Sequence, residues 1–241
     1  MDTDRIVTNK LKEHSRLSGD DIAEIRSFSY GQRELADQED LIRQGDEPDK
    51  SVVVIAGWVA RYHLLPSGAR QYLSFHLPGD WPDAQALFLD RMDHAVCATG
   101  PAIVASIPHK ELTRAIARRP GLGFAIWRET LIDAAIFREA ITNNSARGKP
   151  ARMAHLFCEL YYRARALGHV RDGQMQLPLS LVQLGEALGM AIATVNRTLL
   201  ELRASRAVDF RSGTLLVHSW PRLCAIGEFD PGYLHLKKPP R

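Results

Sequence analysis

The sequence has 241 residues, of which 45% are hydrophobic and 24% are charged, a balance typical of a soluble globular protein. This length allows one large domain or two ordinary domains. No apolar run approaches membrane-spanning length and the first residues lack the apolar core of a signal peptide, so we expect a cytoplasmic protein without a membrane partner. Cys97, Cys158 and Cys224 are far apart in the sequence, which excludes a four-thiolate cluster in one chain and favours buried structural thiols.

The first half of the chain carries a helix start followed by a series of short strand-like runs. Ser18–Asp21 before Ile22 resembles a capping box and predicts a short helix. From Glu39 onwards, turn residues interrupt the apolar runs every eight to ten positions. The runs cover residues 41–44, 51–55, 59–65, 70–76 and 102–107. This spacing predicts a compact antiparallel roll or barrel, and Pro108 then opens a helix.

Residues 121–143 form one uninterrupted helical run of about six turns, roughly 35 Å at the usual rise per residue. Its apolar residues form two stripes, one of Leu122, Ile126, Ile132 and Ile136 and the other of Phe124, Trp127, Leu131 and Ala134. A surface helix of a monomer needs only one buried face. Two stripes favour packing on the roll and on a second copy of the chain, and a helix buried in one large monomeric core is the alternative.

A polar segment, residues 143–150, is the expected domain boundary. It also separates two parts of opposite charge. Residues 148–241 hold 13 Lys/Arg against 7 Asp/Glu, and residues 1–147 hold 18 against 21. A basic C-terminal part is the electrostatic pattern expected of a nucleic-acid binder, although a solvated basic face would give the same count.

After an amphipathic helix over 152–167, residues 180–203 carry the pattern of a helix-turn-helix. The first helix has an apolar face and ends at Gly189, a residue that readily closes helices. A small residue, Gly185, stands where the two helices must cross. The second helix points Val195, Leu199 and Leu202 to one side and its polar residues to another. An ordinary helical hairpin is the alternative for this pattern alone.

The following segment makes the helical-hairpin alternative less favourable. Residues 203–217 read as a strand, a turn at 211–213 and a second strand, which is the β-hairpin of a winged helix. Residues 220–226 predict a last short helix, and Lys237–Arg241 predicts a frayed basic tail.

Three segments, LIRQGD, GWVARYHLLPSGARQYLSFHLPGD and LGMAIATVNRTLLELR, resemble the Crp/Fnr family of bacterial transcription regulators. The resemblance extends from about residue 20 to about residue 225. It implies an α+β fold with an antiparallel N-terminal β-roll of the cupin-like, double-stranded β-helix type. The expected parts are a cyclic-nucleotide-binding-like effector domain over 1–120, a dimerisation helix over 121–144 and a winged helix-turn-helix domain over 148–241.

The resemblance also implies partners. It implies a homodimer whose long helices pair. We assign the contact between these helices to Leu122, Ile126, Ile132 and Ile136. Such a dimer sets two recognition helices one DNA turn apart, for a pseudo-palindromic site in double-stranded DNA. RNA polymerase is a further expected partner, and a pocket between roll and long helix is expected to hold an effector.

The residues of that pocket depart from the family pattern. Cyclic-AMP-binding members carry Gly-Glu and Arg-Ser, where this chain has Asp83-Ala84 and His94-Ala95. Arg would bind the cyclic phosphate with two parallel hydrogen bonds, and Ala84 offers no acceptor to the ribose. We therefore expect a degenerate pocket that does not take cyclic AMP. An unknown small-molecule effector and regulation without one both remain open.

No cofactor, metal site or catalytic set is predicted. The cysteine cluster of the family's iron–sulfur oxygen sensors is missing before Cys97. A haem held by residues such as His76, His94 and Cys97 is a weaker alternative, because single His and Cys residues are more often packing or surface residues. An enzyme is the weakest hypothesis, since no nucleophile–base pair, metal spacing or phosphate loop stands out.

The recognition helix also departs from the family, which usually begins it with Ser and then a base-reading pair such as Arg-Glu. This chain has Ala191–Ala193, which leaves Thr194, Asn196 and Arg197 as polar readers. We expect Arg197 to read a guanine edge, with a phosphate contact as the alternative. Ser180 and Arg211 are the further expected DNA contacts. The apolar start of this helix motivates a rival hypothesis, in which the winged helix docks a protein.

Overall fold

The structure of the chain, a computed structural model, describes residues 2–236. The expected basic tail Lys237–Arg241 lies outside the described residues. The helices are α1 (Thr3–His14), α2 (Gly19–Arg26), α3 (His109–Arg118), α4 (Pro120–Ala146), α5 (Lys149–Ala166), α6 (Leu181–Leu188), α7 (Ile192–Ala204) and α8 (Trp220–Gly227). The strands are β1 (Gly31–Leu35), β2 (Asp40–Ile42), β3 (Lys50–Ala56), β4 (Val59–Leu64), β5 (Arg70–His76), β6 (Ala95–Ala98), β7 (Ala102–Pro108), β8 (Gln174–Gln176), β9 (Val208–Arg211) and β10 (Thr214–Val217).

The chain divides inside α4 into two compact units, a first unit of residues up to 134 and a second unit of residues 135–234. The first unit is the roll. Its two sheets have the strand orders β1-β7-β3 and β2-β6-β4-β5, and every pairing is antiparallel. Two packed antiparallel sheets confirm the predicted α+β roll. The five predicted strands are present within a few residues of their expected bounds.

Three elements of the first unit carried too weak a sequence signal to be predicted. Four of the five residues of β1 are exposed, so β1 lacks the alternation of a half-buried strand. The strand β6 is only four residues long and wholly buried. The helix α1 is mostly polar, and it enters the core of the unit through Val7 and Leu11.

The start of α2 is as predicted. Ser18 accepts a hydrogen bond from the backbone N–H of Asp21, and the Asp21 carboxylate accepts one from the backbone N–H of Ser18 at 2.8 Å. This reciprocal pair satisfies two N–H groups that the first helical turn leaves without partners.

The two apolar stripes of α4 are both present, and the stripe assigned to the dimer contact is the one buried within the single chain. The predicted dimer residues Leu122, Ile126, Ile132 and Ile136 are 0%, 2%, 9% and 8% exposed within the single chain. Leu122 and Ile126 belong to the core of the first unit. The exposed stripe is Phe124, Trp127 and Leu131, which are 63%, 53% and 50% exposed. The side chains assigned to the dimer contact are therefore already covered within the single chain, which disfavours that assignment.

The helix α4 is longer than predicted. It continues through Asn143 and ends at Ala146, and α5 begins at Lys149. The Asn143 side chain donates to the backbone oxygen of Arg152 at 3.1 Å, which ties the end of α4 to α5. Polar composition therefore did not mark the end of the helix, and only residues 147–148 separate the two helices.

The second unit combines four helices, α5 to α8, with a three-stranded sheet in the order β8-β10-β9. The predicted α5, helix-turn-helix, hairpin and last helix are all present. The strand β8 was not predicted because it is three residues long. The unit buries Met153, Phe157 and Leu160 of α5 among its apolar residues, and Leu156 is half-buried.

No helix in the described part of the chain is long and apolar enough to cross a membrane.

Candidate nucleic-acid interface

Local sequence signals set the geometry of the helix-turn-helix. The Ser180 hydroxyl accepts from the N–H of Gln183 at 3.1 Å, and the Gln183 side chain accepts from the N–H of Ser180 at 2.7 Å. Gly189 closes α6 in the left-handed conformation, with φ of 63°. A Cβ atom on Gly185 would lie 2.5 Å from the backbone oxygen of Met190, so only glycine allows this close approach. These contacts fix the turn that leads into α7.

The helix α7 buries one face and exposes another. Val195 and Leu202 are buried, whereas Asn196 and Arg197 are exposed and Thr194 is half-buried. Among the described residues, no hydrogen bond or ion pair holds the Arg197 side chain. An exposed guanidinium near the start of a recognition helix is free to bind a base edge or a phosphate. The same face also exposes two apolar side chains, Ile192 and Leu200.

The hairpin that follows α7 is the predicted wing. Arg211 of β9 pairs with Thr214 of β10, so Ser212 and Gly213 form a two-residue loop. Both loop residues have positive φ, 47° and 73°. This is the turn geometry that matches the twist of two antiparallel strands.

Two arginines at the wing share one carboxylate. Arg203 of α7 donates to Asp209 Oδ1 from Nε at 3.0 Å and from Nη2 at 2.7 Å, and Arg211 Nε lies 3.0 Å from Asp209 Oδ2. Arg211 is therefore exposed, and the nearby Asp209 carboxylate partly balances its charge. Arg203 and Asp209 were not predicted as a pair from the sequence, although they are only six residues apart, on either side of the end of α7.

A groove of about 770 Å³ lies between α7, the start of α6 and the wing. The structure brings three of the five predicted DNA residues, Ser180, Asn196 and Arg211, to its lining. Ser180 uses its hydroxyl oxygen as the cap of α6, which leaves its O–H free to donate. Thr194 and Arg197 are not in the lining of this groove and lie elsewhere on α7.

The four residues of the expected effector pocket are buried in the first unit. Asp83, Ala84, His94 and Ala95 are each at most 6% exposed. The Asp83 carboxylate accepts from the backbone N–H of Val52 at 2.8 Å. The side chain of Gln85, one residue after Ala84, contacts His94 Nε2 at 3.3 Å and joins the two segments.

An arginine that the sequence did not single out reaches the same region. Arg61 of β4 is 2% exposed, and its Nε donates to the backbone oxygen of Pro82 at 2.6 Å. Its Nη1 is paired with the carboxylate of Asp133 on α4, and its Nη2 donates to Gln85 Oε1 at 3.4 Å. A cation is thus present beside this degenerate pocket, but it comes from another strand and is bound to groups of the chain itself. Nothing in the local pattern of β4 signalled this role.

The ionisation of His94 and Asp83 follows from their burial. Burial lowers the pKa of His94 and the charge of Arg61 lowers it further, so a neutral ring is favoured although Asp93 opposes the change. Burial raises the pKa of Asp83 to about 7, against the hydrogen bond from Val52 and the charge of Arg61. The Asp83 Oδ2 atom is buried and has no hydrogen-bond partner among the described residues. Asp83 also lines a cavity of about 640 Å³ that is bounded by β1, β2, β3 and β7.

The three residues of the haem alternative each have partners within the chain. His76 bonds Ser74 at 2.9 Å, and His94 bonds Asp93 at 2.7 Å. Arg70 donates to the Cys97 sulfur at 3.4 Å. Within the described residues, no group of three or more His, Cys, Asp or Glu side chains is arranged to hold a metal ion.

Two family models match the chain. Residues 32–119 match the model of a cyclic nucleotide-binding domain. Residues 151–226 match the model of a Crp-like helix-turn-helix domain. The first match covers most of the roll and the second covers α5 to α8 almost completely.

Similar proteins include named regulators. The chain is 26% identical over 196 residues to the transcriptional activator protein Anr of Pseudomonas protegens, covering 80% of this chain and 79% of that protein. It is 27% identical over 195 residues to the nitrogen fixation regulation protein FixK of Bradyrhizobium diazoefficiens, covering 80% and 81%. The structure of FixK2 from Bradyrhizobium japonicum is similar in fold, with a TM-score of 0.72 at 21% identity, over 82% of this chain and 97% of that one.

Proposed function

This chain belongs to the Crp/Fnr family and is a DNA-binding regulator of transcription, and we propose that it acts as a homodimer on a pseudo-palindromic site without cyclic AMP. The observation that carries the proposal is the exposed polar face of α7 beside the wing groove. Arg197 stands on that face without a partner among the described residues, and Ser180 and Arg211 line the groove. A recognition helix enters the major groove while flanking residues hold the phosphates.

We also propose a function for each segment of the chain. We assign effector sensing to residues 1–120, dimerisation to 121–144 and DNA binding to 148–241. The net positive charge of the last segment supports this division, because phosphate contacts provide much of the affinity of such proteins. We further propose RNA polymerase as a partner once the dimer is on DNA.

Dimerisation is supported by the exposed stripe of α4. Phe124, Trp127 and Leu131 are spaced three and four residues apart and lie on one face of the helix. Three large apolar side chains that stay half exposed or more along one helix form a surface that a second copy can bury. The predicted interface therefore moves from the buried stripe to this one.

The chemistry of the roll supports regulation without cyclic AMP. Ala84 has no acceptor for a ribose hydroxyl, and the neutral His94 carries no charge for a phosphate. Arg61 is the cation of this region, and it is bound to Asp133 and to the Pro82 carbonyl. A phosphate would have to break that pair and would leave Asp133 without its partner. If a small molecule regulates the chain, the cavity at Asp83 is the candidate site.

A second candidate function has one specific observation in its favour. Ile192 and Leu200 are exposed on the face of α7 that a DNA reader would use, at 48% and 60%. An exposed apolar pair on a winged helix can also bind a protein partner. The absence of an internal partner for Arg197 among the described residues favours DNA over this alternative.

Selection of bound sequences from random duplexes separates the two candidates. We expect enrichment of a two-fold symmetric consensus, with half-sites about one helical turn apart. The selection is run with and without added cyclic AMP and with and without cell extract, which reports effector dependence. If no sequence is enriched at moderate salt and a protein binds the same surface of the winged helix instead, the protein-docking hypothesis is favoured. Arg114→Ala in α3 is the matched control, because it removes an exposed arginine outside the proposed DNA face.

A further inference from the structure

Two of the three cysteines lie on helices that pack against each other in the second unit. Cys158 is on α5 and Cys224 is on α8. At one end of the crossing, a Cβ atom on Gly227 would lie 2.8 Å from the backbone nitrogen of His155. At the other end, the rings of Tyr161 and Trp220 stack with centroids 5.3 Å apart.

These two contacts define the register of the crossing. From His155 to Tyr161 the chain advances along α5, and from Gly227 to Trp220 it moves back along α8, so the helices run antiparallel. Cys158 lies three residues after His155, and Cys224 lies three residues before Gly227. Because residues three or four apart share a helix face, the two cysteines face each other one turn from the glycine contact. The missing side chain of Gly227 lets the two backbones approach closely there.

The two thiols are in direct contact. A side-chain hydrogen bond joins the Cys158 and Cys224 thiols. Cys158 is fully buried, whereas Cys224 is partly exposed to solvent. The pair therefore has one sulfur that solutes can reach and one that is sheltered behind it.

We propose that Cys224 and Cys158 form an oxidant-sensitive dithiol that a hydroperoxide converts into an intrachain disulfide. The Cys224 thiolate attacks one oxygen of the peroxide, the O–O bond breaks, and water or an alcohol leaves. Cys224 is then a sulfenic acid. The Cys158 sulfur displaces the hydroxyl group from it, which forms the S–S bond and releases water. The two cysteines lose two electrons in total, and the peroxide gains them.

The environments of the two sulfurs assign these roles. The hydrogen bond from Cys158 lowers the pKa of Cys224, which favours the thiolate at the accessible position. Burial raises the pKa of Cys158, which keeps this sulfur as the thiol that reacts second. Close backbone approach at the crossing suits a disulfide, whose α-carbons must come within about 7 Å of each other.

Cys97 provides an internal reference for the chemistry. It lies on β6 in the first unit, whereas the pair belongs to α5 and α8 of the second unit. Burial raises its pKa to about 11, against the charge of Arg70. Cys97 is therefore expected to stay a thiol under conditions that oxidise the pair.

The test is thiol counting and peptide mapping on the full chain after treatment with hydrogen peroxide. We expect three titratable thiols to fall to one, with a single cross-linked peptide that joins Cys158 to Cys224 and that dithiothreitol reverses. The Cys97→Ser variant should behave in the same way with one thiol fewer. Because the wild-type chain itself is mapped, this result does not depend on a variant that folds.

The cysteine variants test the order of events. In Cys158→Ser, which keeps a hydrogen-bond donor beside Cys224 but cannot form a disulfide, a sulfenic acid should persist on Cys224 and be trapped by dimedone. In Cys224→Ser, Cys158 should remain reduced. A chain that keeps all three thiols while free glutathione in the same tube is oxidised would overturn the proposal. A cross-link through Cys97, a disulfide between chains, or overoxidation of Cys224 without a disulfide would overturn it as well. None of these readouts depends on DNA binding.

Discussion

The guanidinium of Arg61 on β4 is paired with the carboxylate of Asp133 on α4, inside the first unit. The two residues are 72 positions apart in the sequence. Arg61 is almost fully buried, and its Nε donates to the Pro82 carbonyl. This pair connects the strand, the 82–85 segment and the long helix through groups of the chain itself, which supports the proposal that the roll does not depend on cyclic AMP.

Removal of one member of this pair should destabilise the first unit. Asp133→Ala leaves the Arg61 charge buried without its carboxylate, so we expect the free energy of unfolding to fall by about 3 kcal/mol. The measurement is urea denaturation followed by tryptophan fluorescence, since Trp58 and Trp81 are buried in this unit. The control is Glu47→Ala, which breaks the exposed Arg91–Glu47 pair and should cost less than about 1 kcal/mol. Equal losses in the two variants would contradict the role given to the buried pair.

The buried carboxyl of Asp83 should make stability depend on pH. Its pKa is raised from 3.8 to about 7 in the folded chain. Between these values the folded chain keeps a proton that the unfolded chain has released, so stability falls as pH rises through this window and levels off above it. Relative to Asp83→Asn, the wild type should therefore lose stability between pH 4 and pH 8, by up to roughly 4 kcal/mol.

The comparison is made by urea denaturation of both proteins at several pH values. Asn keeps an acceptor for the N–H of Val52, so the difference in slope reports the carboxyl rather than the hydrogen bond. Asp90→Asn, at an exposed position of the same unit, should follow the wild-type slope. Parallel curves for Asp83→Asn and the wild type would show that Asp83 is ionised in the folded chain.

The Arg197 side chain should determine sequence preference. If it binds a base edge, Arg197→Ala should weaken binding to the selected site by about 1–3 kcal/mol and relax one position of the consensus. Fluorescence anisotropy with the selected duplex and with single-base variants measures both effects. A loss of the same size on every duplex would instead make Arg197 a phosphate contact. Arg114→Ala should leave affinity within the error of the measurement at matched salt.

Adjacent residues of α4 should give opposite results when charged. Leu131 is 50% exposed, so Leu131→Glu should yield a folded monomer. Ile132 is 9% exposed, so Ile132→Asp buries a charge and should unfold the chain or render it insoluble. Light scattering reports the oligomeric state and circular dichroism reports folding. A wild-type chain that is monomeric at micromolar concentration, or a dimer that survives Leu131→Glu, would rule out this stripe as the interface.

The second unit was predictable because its signals are local. The Ser180 cap, Gly189 at the end of α6 and the two-residue Ser212–Gly213 loop each act over a few residues, through backbone hydrogen bonds and left-handed conformations. Apolar periodicity likewise fixed the buried face of α7. The strand β8 was not predicted, because three residues are too few to show a periodicity.

The sequence by itself determined the order of elements, the antiparallel roll, the winged helix-turn-helix and the two apolar stripes of α4, because these depend on periodicity and turn chemistry within short segments. Only the tertiary structure decided which stripe is buried, since both have the same spacing and differ only in what packs on them. It alone paired Arg61 with Asp133 and Cys158 with Cys224. Such contacts join distant segments, and their partners are chosen by the packing of whole elements rather than by any local pattern.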